Sequence, residues 1–179
     1  MVETYELSKQ FLENEHLLMR EIRDEDVDGV LKLNNASTPA VNELTKTELE
    51  NILKMSHKSW IVERDGVVAA ALLTLESGES YQSDNYTWLD NQFDNYCYVD
   101  RIMVDVQAKR NGLGKQLYDM LETYAKAIGA EVLLCEVNIE PPNPQSLSFH
   151  NDLGWEPFHD REHGPGKKVR YFKKPISAG

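Results

Sequence analysis

Residues 96–137 read YCYVDRIMVDVQAKRNGLGKQLYDMLETYAKAIGAEVLLCEV. Tyr96 to Val104 has the aromatic and β-branched content of a strand, and Val106 to Asn111 is a polar connection. From Gly112 to Ile128 the apolar residues Leu113, Leu117, Met120, Leu121, Tyr124, Ala125 and Ile128 recur along one helical face. Gly129 stands where a C-terminal cap would. Val132 to Val137 is nearly continuous in apolar residues, as expected of a strand covered on both faces. Strand, helix, strand in this order predicts a parallel, right-handed βαβ unit.

Outward from this unit the chain continues to alternate. Leu17 to Ile22 reads as a first strand. Asp24 then stands as a helix N-cap before Val27, Val30, Leu31 and Leu33. Thr45 with Glu48 has the pattern of a capping box ahead of Leu49, Ile52 and Leu53. Trp60 to Val62 and Val67 to Leu75 flank Asp65-Gly66, the signature of a hairpin turn. Ser77 to Asn95 reads as an irregular loop carrying Tyr81, Tyr86, Trp88 and Phe93 among four acids, and loops of that length are usually functional. On the C-terminal side, Ile139 to Pro144 is too rich in proline for helix or central strand. Gln145 to Leu153 predicts a short helix, and Trp155 to His159 with Val169 to Lys173 a terminal antiparallel pair. The class is α/β: a mixed, twisted sheet of about seven strands with helices on both faces. A single domain over residues 1–179 is expected, with 1–16 an N-terminal extension and 77–95 a flap.

Composition narrows the function. The 179 residues carry 19 Lys and Arg against 30 Asp and Glu, a net charge of -11. Nucleic acid binding needs clustered cations, so that class is set aside. No apolar run approaches the roughly 20 residues of a membrane helix, and the start lacks a signal peptide's pattern, so a cytoplasmic protein without a membrane partner is expected. Cys97 and Cys135 stand apart in apolar contexts and read as buried thiols. His16, His57, His150, His159 and His163 lack zinc-like spacing, and no metal is expected.

The chemistry points to Lys109-Arg110-Asn111-Gly112-Leu113-Gly114-Lys115, which joins a buried strand to a helix N-terminus. First-turn amides have no partner within their helix and the helix dipole adds positive potential. Two glycines would let an anion approach the backbone, an arrangement suited to a pyrophosphate; a tight strand-to-helix turn is the plainer reading. A P-loop is excluded because Lys109 stands at the place of its first glycine and Gln116 at that of its Ser/Thr. A dinucleotide fingerprint is excluded because Leu117 takes the place of its third glycine.

Lys109 to Gly114 resembles the pyrophosphate motif Gln/Arg-x-x-Gly-x-Gly/Ala of the GNAT superfamily of N-acetyltransferases. Ile102-Met103-Val104 is similar to the end of the strand before that motif. The stretch from Asn143 through Ser146, Leu147, Phe149 and His150 to Gly154-Trp155 is similar to the second signature of that family. Tyr98 to Ile102 and Cys135 to Asn143 look like a narrower group of predicted bacterial acetyltransferases with no assigned substrate. The likeness is close over Tyr96 to Phe158 and looser over Leu17 to Lys173.

The resemblance implies an acetyltransferase that moves acetyl directly from acetyl-CoA to a primary amine, with a homodimer as an allowed assembly; the aromatic flap favours a small-molecule amine as partner, because an enclosed site excludes a chain. A protein N-terminal or lysine acetyltransferase and a non-catalytic acetyl-CoA sensor are the alternatives. It implies two parallel strands that splay apart, the pantetheine arm at Ile102, Met103 and Val104, the pyrophosphate on amides from Arg110 to Lys115 beside Lys109, and Asn143 helping to hold the cosubstrate. His150 stands where the family has the Tyr that protonates the leaving thiolate, so it is either that acid or a packing residue.

An amine with a pKa of about 10.4 is neutral in only about one molecule in a thousand at pH 7, a deficit of about 4–5 kcal/mol that a base must supply. Asp100 and Glu136, acids within apolar strands, are candidates for base or substrate anchor; satisfied structural carboxylates are the alternative. Arg101 should point away from Asp100 by strand alternation. In the flap, Tyr81 and Trp88 are candidates for binding the amine through their aromatic faces.

Overall fold

The computed structural model describes residues 16–109 and 111–177 and the backbone of residues 5–6. The chain gathers into two compact units, one of Met1–Leu75 with Asp100–Met120, the other of Glu76–Val99 with Leu121–Gly179.

In the first unit the strands β1 (Tyr5–Glu6), β2 (Leu17–Glu21), β3 (Ser59–Arg64) and β4 (Val67–Glu76) follow one another in order, the first three pairings antiparallel. Asp65 and Gly66 both have positive φ, 51° and 80°, and join Arg64 to its partner Val67. That is the two-residue turn whose twist suits a hairpin. Two helices, α1 (Val27–Ala36) and α2 (Lys46–Met55), belong to this unit. Thr45 caps α2: its Oγ1 accepts from the Glu48 amide at 3.2 Å and donates to Glu48 Oε1 at 3.0 Å. Asp24 begins a short 3-10 turn, Asp24–Asp26, ahead of α1 and is not itself the α1 cap. Val30, Leu49, Ile61, Val62, Ala70 and Leu72 form the core. Buried Arg20 is neutralised by Asp26, with both nitrogens at 2.7 Å, and by Glu63.

The second unit holds α3 (Asp84–Gln92), β5 (Tyr96–Val104) as far as Val99, α4 (Leu113–Ile128) from Leu121, β6 (Val132–Glu140), α5 (Pro144–Asp152), β7 (Glu156–Glu162) and β8 (Lys168–Pro175). Its strand order is β5-β6-β8-β7. β5 and β6 are parallel and the other pairs antiparallel, so the sheet is mixed and the class α/β, as expected. The eight described strands are the seven expected from sequence and the two-residue β1, which falls in the N-terminal extension. Leu113, Leu117, Leu121 and Ala125 form the buried stripe of α4, each leucine contributing about 1.5–3 kcal/mol of burial. Two capping bonds end the helix, from Gly129 N to Lys126 O at 3.2 Å and from Ala130 N to Ala125 O at 2.9 Å.

The segment 77–95 is not the irregular loop the sequence suggests. Ser83 Oγ accepts from the Tyr86 amide at 3.3 Å and starts the nine-residue α3, whose Tyr86 and Leu89 are buried. Poor helix formers such as Asn, Thr and Asp mask this helix in sequence; packing of two residues three apart overrides propensity.

Candidate active site

Two groups of candidate residues stand out, one in each unit. In the first, β5 leads into a tight connection. The Asp105 amide donates to Ala69 O at 2.8 Å, and Asp105 Oδ1 accepts from the Gln107 amide at 2.8 Å. Ile102 and Val104 are half-buried, with Met103 buried between them. Lys109 is exposed, and Arg110 lies outside the described residues. Gly112 is exposed with φ at 72°, and a methyl group on it would meet open space. Asn111 precedes it, half-buried. The Gln116 amide bonds Gly112 O at 3.1 Å, so the amides of Leu113, Gly114 and Lys115 have no partner within the helix. Leu113 anchors the turn in the core, Gly114 is buried, and Lys115 is exposed. Lys115 Nζ meets Asp119 at 2.9 Å in a pair 60% exposed on both sides, too weak a pair to withhold the cation from a phosphate. Unpaired amides, an open approach at Gly112 and nearby lysines fit a diphosphate.

In the second unit the parallel ladder runs from Tyr96↔Val132 to Tyr98↔Leu134. Its recorded register stops there, although β5 and β6 both continue. Glu136 lies two residues farther along β6, half-buried. The Tyr98 hydroxyl donates to its carboxylate, 2.7 Å from Oε1 and 2.8 Å from Oε2, and Asn85 Nδ2 donates to Oε1 at 3.2 Å. Asn85 cannot flip without loss. Its Oδ1 accepts from the Tyr171 hydroxyl at 2.7 Å and lies 2.8 Å from His163 Nε2. The Tyr171 hydroxyl donates to the oxygen, and the amide nitrogen is left to donate to Glu136. Burial, and next the charge of Arg161, hold the His163 pKa below its usual value.

Trp88, on the same helix as Asn85, lies flat against two rings, with centroids 4.7 Å from both His159 and Tyr171. Arg161 sits 5.6 Å from the Trp88 ring centroid. Tyr81 tilts against Tyr86 at 5.7 Å. The aromatic faces of the segment are thus engaged with its own unit.

Asp100 corrects one expectation. Arg101 Nε donates to Asp100 Oδ2 at 2.7 Å, with the two side chains only 5% and 4% exposed. Strand alternation fixes where Cβ points, not where the end of a long arginine arrives. Arg101 also donates to Asn34 Oδ1 at 2.9 Å and Asn42 Oδ1 at 3.2 Å, tying β5 to α1 and the segment after it.

His150 is 2% exposed on α5, edge-on to Trp155 at 5.4 Å. Its Nδ1 lies 2.8 Å from Ser146 O. A carbonyl only accepts, so Nδ1 carries the proton, and in the neutral ring Nε2 does not. Burial lowers the His150 pKa. Asn143 caps α5, its Oδ1 accepting from the Ser146 amide at 3.3 Å. Burial pushes the Cys97 thiol up to about 12 and that of Cys135 up as well, which leaves neither a ready thiolate. Among the described residues no cluster of His, Cys, Asp or Glu is placed to hold a metal ion, and no helix is long and apolar enough to cross a membrane.

Sequence reasoning missed Tyr98, Asn85, Tyr171, Arg161 and His163 as companions of Glu136. The pairing Glu136↔Tyr171↔His159 brings them together from distant positions. Alternation within β7 and β8 was the one signal that could have placed Tyr171, His159 and Arg161 on a common face.

The sequence profile of the acetyltransferase (GNAT) family matches residues 19–155. No curated protein matches the sequence. Among solved structures, ribosomal-protein-S18-alanine N-acetyltransferase from Escherichia coli aligns over 90% of this chain and 94% of its own, at 15% identity with a TM-score of 0.70. A GNAT-family acetyltransferase from Streptococcus pneumoniae covers 90% of this chain and 100% of its own, at 19% identity and a TM-score of 0.70. The yncA structure from Salmonella typhimurium, solved with its cofactor acetyl-CoA, covers 90% and 95%, at 15% identity and a TM-score of 0.67. At these identities the likeness is one of fold.

Proposed function

Because the chain belongs to the acetyltransferase (GNAT) family, whose reaction draws its acetyl group from acetyl-CoA, we propose that it acetylates the primary amine of a small molecule, with Glu136 as the group that takes the amine's proton. The observation that carries this reading is the hold on Glu136. A half-buried carboxylate is gripped by Tyr98 and by an Asn85 that is itself locked by Tyr171 and His163. A carboxylate held in one orientation is ready to accept a proton without reorganising. Helix α3, which carries Asn85, lays Trp88 on the same unit as Glu136, and aromatic faces beside a carboxylate suit a small cationic amine.

The thioester supplies an acetyl carbon open to attack. Glu136 would take one proton from the ammonium; the neutral amine would then attack, the C–N bond forming as the C–S bond breaks, and the remaining proton would leave to the departing thiolate. The amides of Leu113, Gly114 and Lys115, with Lys109 and the backbone of Ile102, Met103 and Val104, would hold the cosubstrate.

In this reading Asp100 is structural, since Arg101 neutralises it. His150 packs and does not protonate the thiolate: a neutral ring with its proton on Nδ1 has none on Nε2, and burial works against the doubly protonated form. Tyr81 and Trp88 shape the acceptor side by packing.

Thiol release from acetyl-CoA with a panel of small amines and of peptides tests the proposal. Turnover with small amines supports it. Turnover with peptides alone makes a protein the acceptor, and tight acetyl-CoA binding without turnover on either set makes the chain a sensor.

A further inference from the structure

Arg161 is held in the second unit by neutral groups: a hydroxyl, a carbonyl and an indole ring. With 30 acids against 19 Lys and Arg in the chain, carboxylate partners are plentiful, and two cations on the neighbouring strand have one while Lys173 lies over the Phe158 ring. Arg170 grips Asp160 at 2.9 and 3.0 Å, and Lys174 lies 3.3 Å from Glu122. Arg161 has no carboxylate within ion-pairing distance among the described residues. Its Nη1 donates to the Tyr171 hydroxyl at 3.2 Å and to Asp84 O at 3.4 Å, and its guanidinium carbon lies over the Trp88 ring at 5.6 Å. The group is half-buried and held by neutral partners. Holding a cation partly out of water without a counter-ion costs free energy, and the planar fork matches a carboxylate.

Glu136, Tyr171 and His159 are direct cross-strand partners, and Arg161 follows His159 by two residues, on the same face. A continuous hydrogen-bonded path runs from Glu136 through Asn85 and Tyr171 to Arg161, with steps of 3.2, 2.7 and 3.2 Å. A carboxylate and a guanidinium are therefore presented from one face, linked by two neutral residues and not paired with each other. Opposite charges presented on one face suit a ligand that carries both.

We propose that Arg161 binds a carboxylate of the acceptor, so that the substrate class is a small amino acid: one primary amine directed to Glu136 and one carboxylate to Arg161. The inference rests on the reading of Glu136 as the amine's base and adds the second anchor.

The test is thiol release from acetyl-CoA by the full chain with amino acids and, for each, the amine that remains when its carboxylate is removed. Wild-type protein should acetylate at least one amino acid with kcat/KM roughly tenfold or more above its decarboxylated partner. Arg161→Met should lower kcat/KM for that amino acid by roughly thirtyfold, chiefly through KM, and change the decarboxylated amine little; Arg161→Lys should fall between. Unchanged acetyl-CoA affinity by calorimetry shows that the variants are folded, and if Arg161→Met does not fold, the wild-type preference and Arg161→Lys decide. Decarboxylated amines accepted as well as or better than the acids, or an Arg161→Met loss equal for both sets, overturns the inference and leaves the amine acetyltransferase standing. No release from either set overturns the small-amine reading and the inference with it.

Discussion

The Tyr98 hydroxyl reaches both oxygens of the Glu136 carboxylate, at 2.7 and 2.8 Å. Tyr98 is the last residue of β5 in the recorded parallel register, and Glu136 lies two residues beyond its end on β6. The donor is fully buried, its ring edge-on to Tyr86 at 5.4 Å. Removing the hydroxyl alone leaves that packing in place. Tyr98→Phe should therefore lower kcat/KM by roughly tenfold or more, the worth of a hydrogen bond to a charged group, with acetyl-CoA affinity unchanged by calorimetry. Turnover equal to wild type would show that the hydroxyl does nothing for the reaction.

The ion pair between Asp100 and Arg101 is a stability element. Arg101→Met strands a buried carboxylate and strips donors from Asn34 and Asn42. Breaking a buried pair on one side costs about 3–5 kcal/mol, which in a chain of this size lowers Tm by on the order of 10 °C. Arg101→Met combined with Asp100→Leu should recover part of the loss, because no charge is left unpaired. Thermal unfolding followed by circular dichroism checks both; a Tm for Arg101→Met within about a degree of wild type would remove the pair from the account.

His150 makes stability depend on pH in a stated direction. Burial holds its pKa below the usual 6.5 in the folded chain, while the unfolded chain keeps the ordinary value. The unfolded state then binds the proton more readily, so the contribution is fully present above about pH 6.5 and is lost as pH falls below it. His163, also lowered, acts in the same direction. The Tm of wild type should drop more steeply than that of His150→Gln as pH is taken from above 7 to below 6, while His150→Gln keeps most of its turnover at pH 7.5. Parallel Tm curves would contradict the buried neutral ring, and loss of turnover would restore His150 as a proton donor.

Much of this was legible in the sequence, and the omissions share a cause. The strand–glycine–helix stretch at Tyr96 to Ile128 and the Asp65-Gly66 hairpin are local patterns, and local patterns survive in a string of letters. Helix α3 was hidden because Asn85, Thr87 and Asn91 are weak helix formers whose place is set by packing of Tyr86 and Leu89. Glu136 could be singled out as an acid in an apolar strand. Its companions could not, because strand register across β6, β8 and β7 gathers Tyr171, His159 and Arg161, and register is decided by the whole sheet. Asp100 misled because alternation says nothing about the reach of the neighbouring Arg101.

The pH dependence of Glu136→Gln tests the central claim most directly. If Glu136 takes the amine's proton, the variant should bind acetyl-CoA as wild type does and release thiol at least roughly a hundredfold more slowly at pH 7. That gap should close as pH rises toward about 10, where the amine loses its proton unaided. Equal rates at pH 7, or a gap of the same size at every pH, would contradict the assignment.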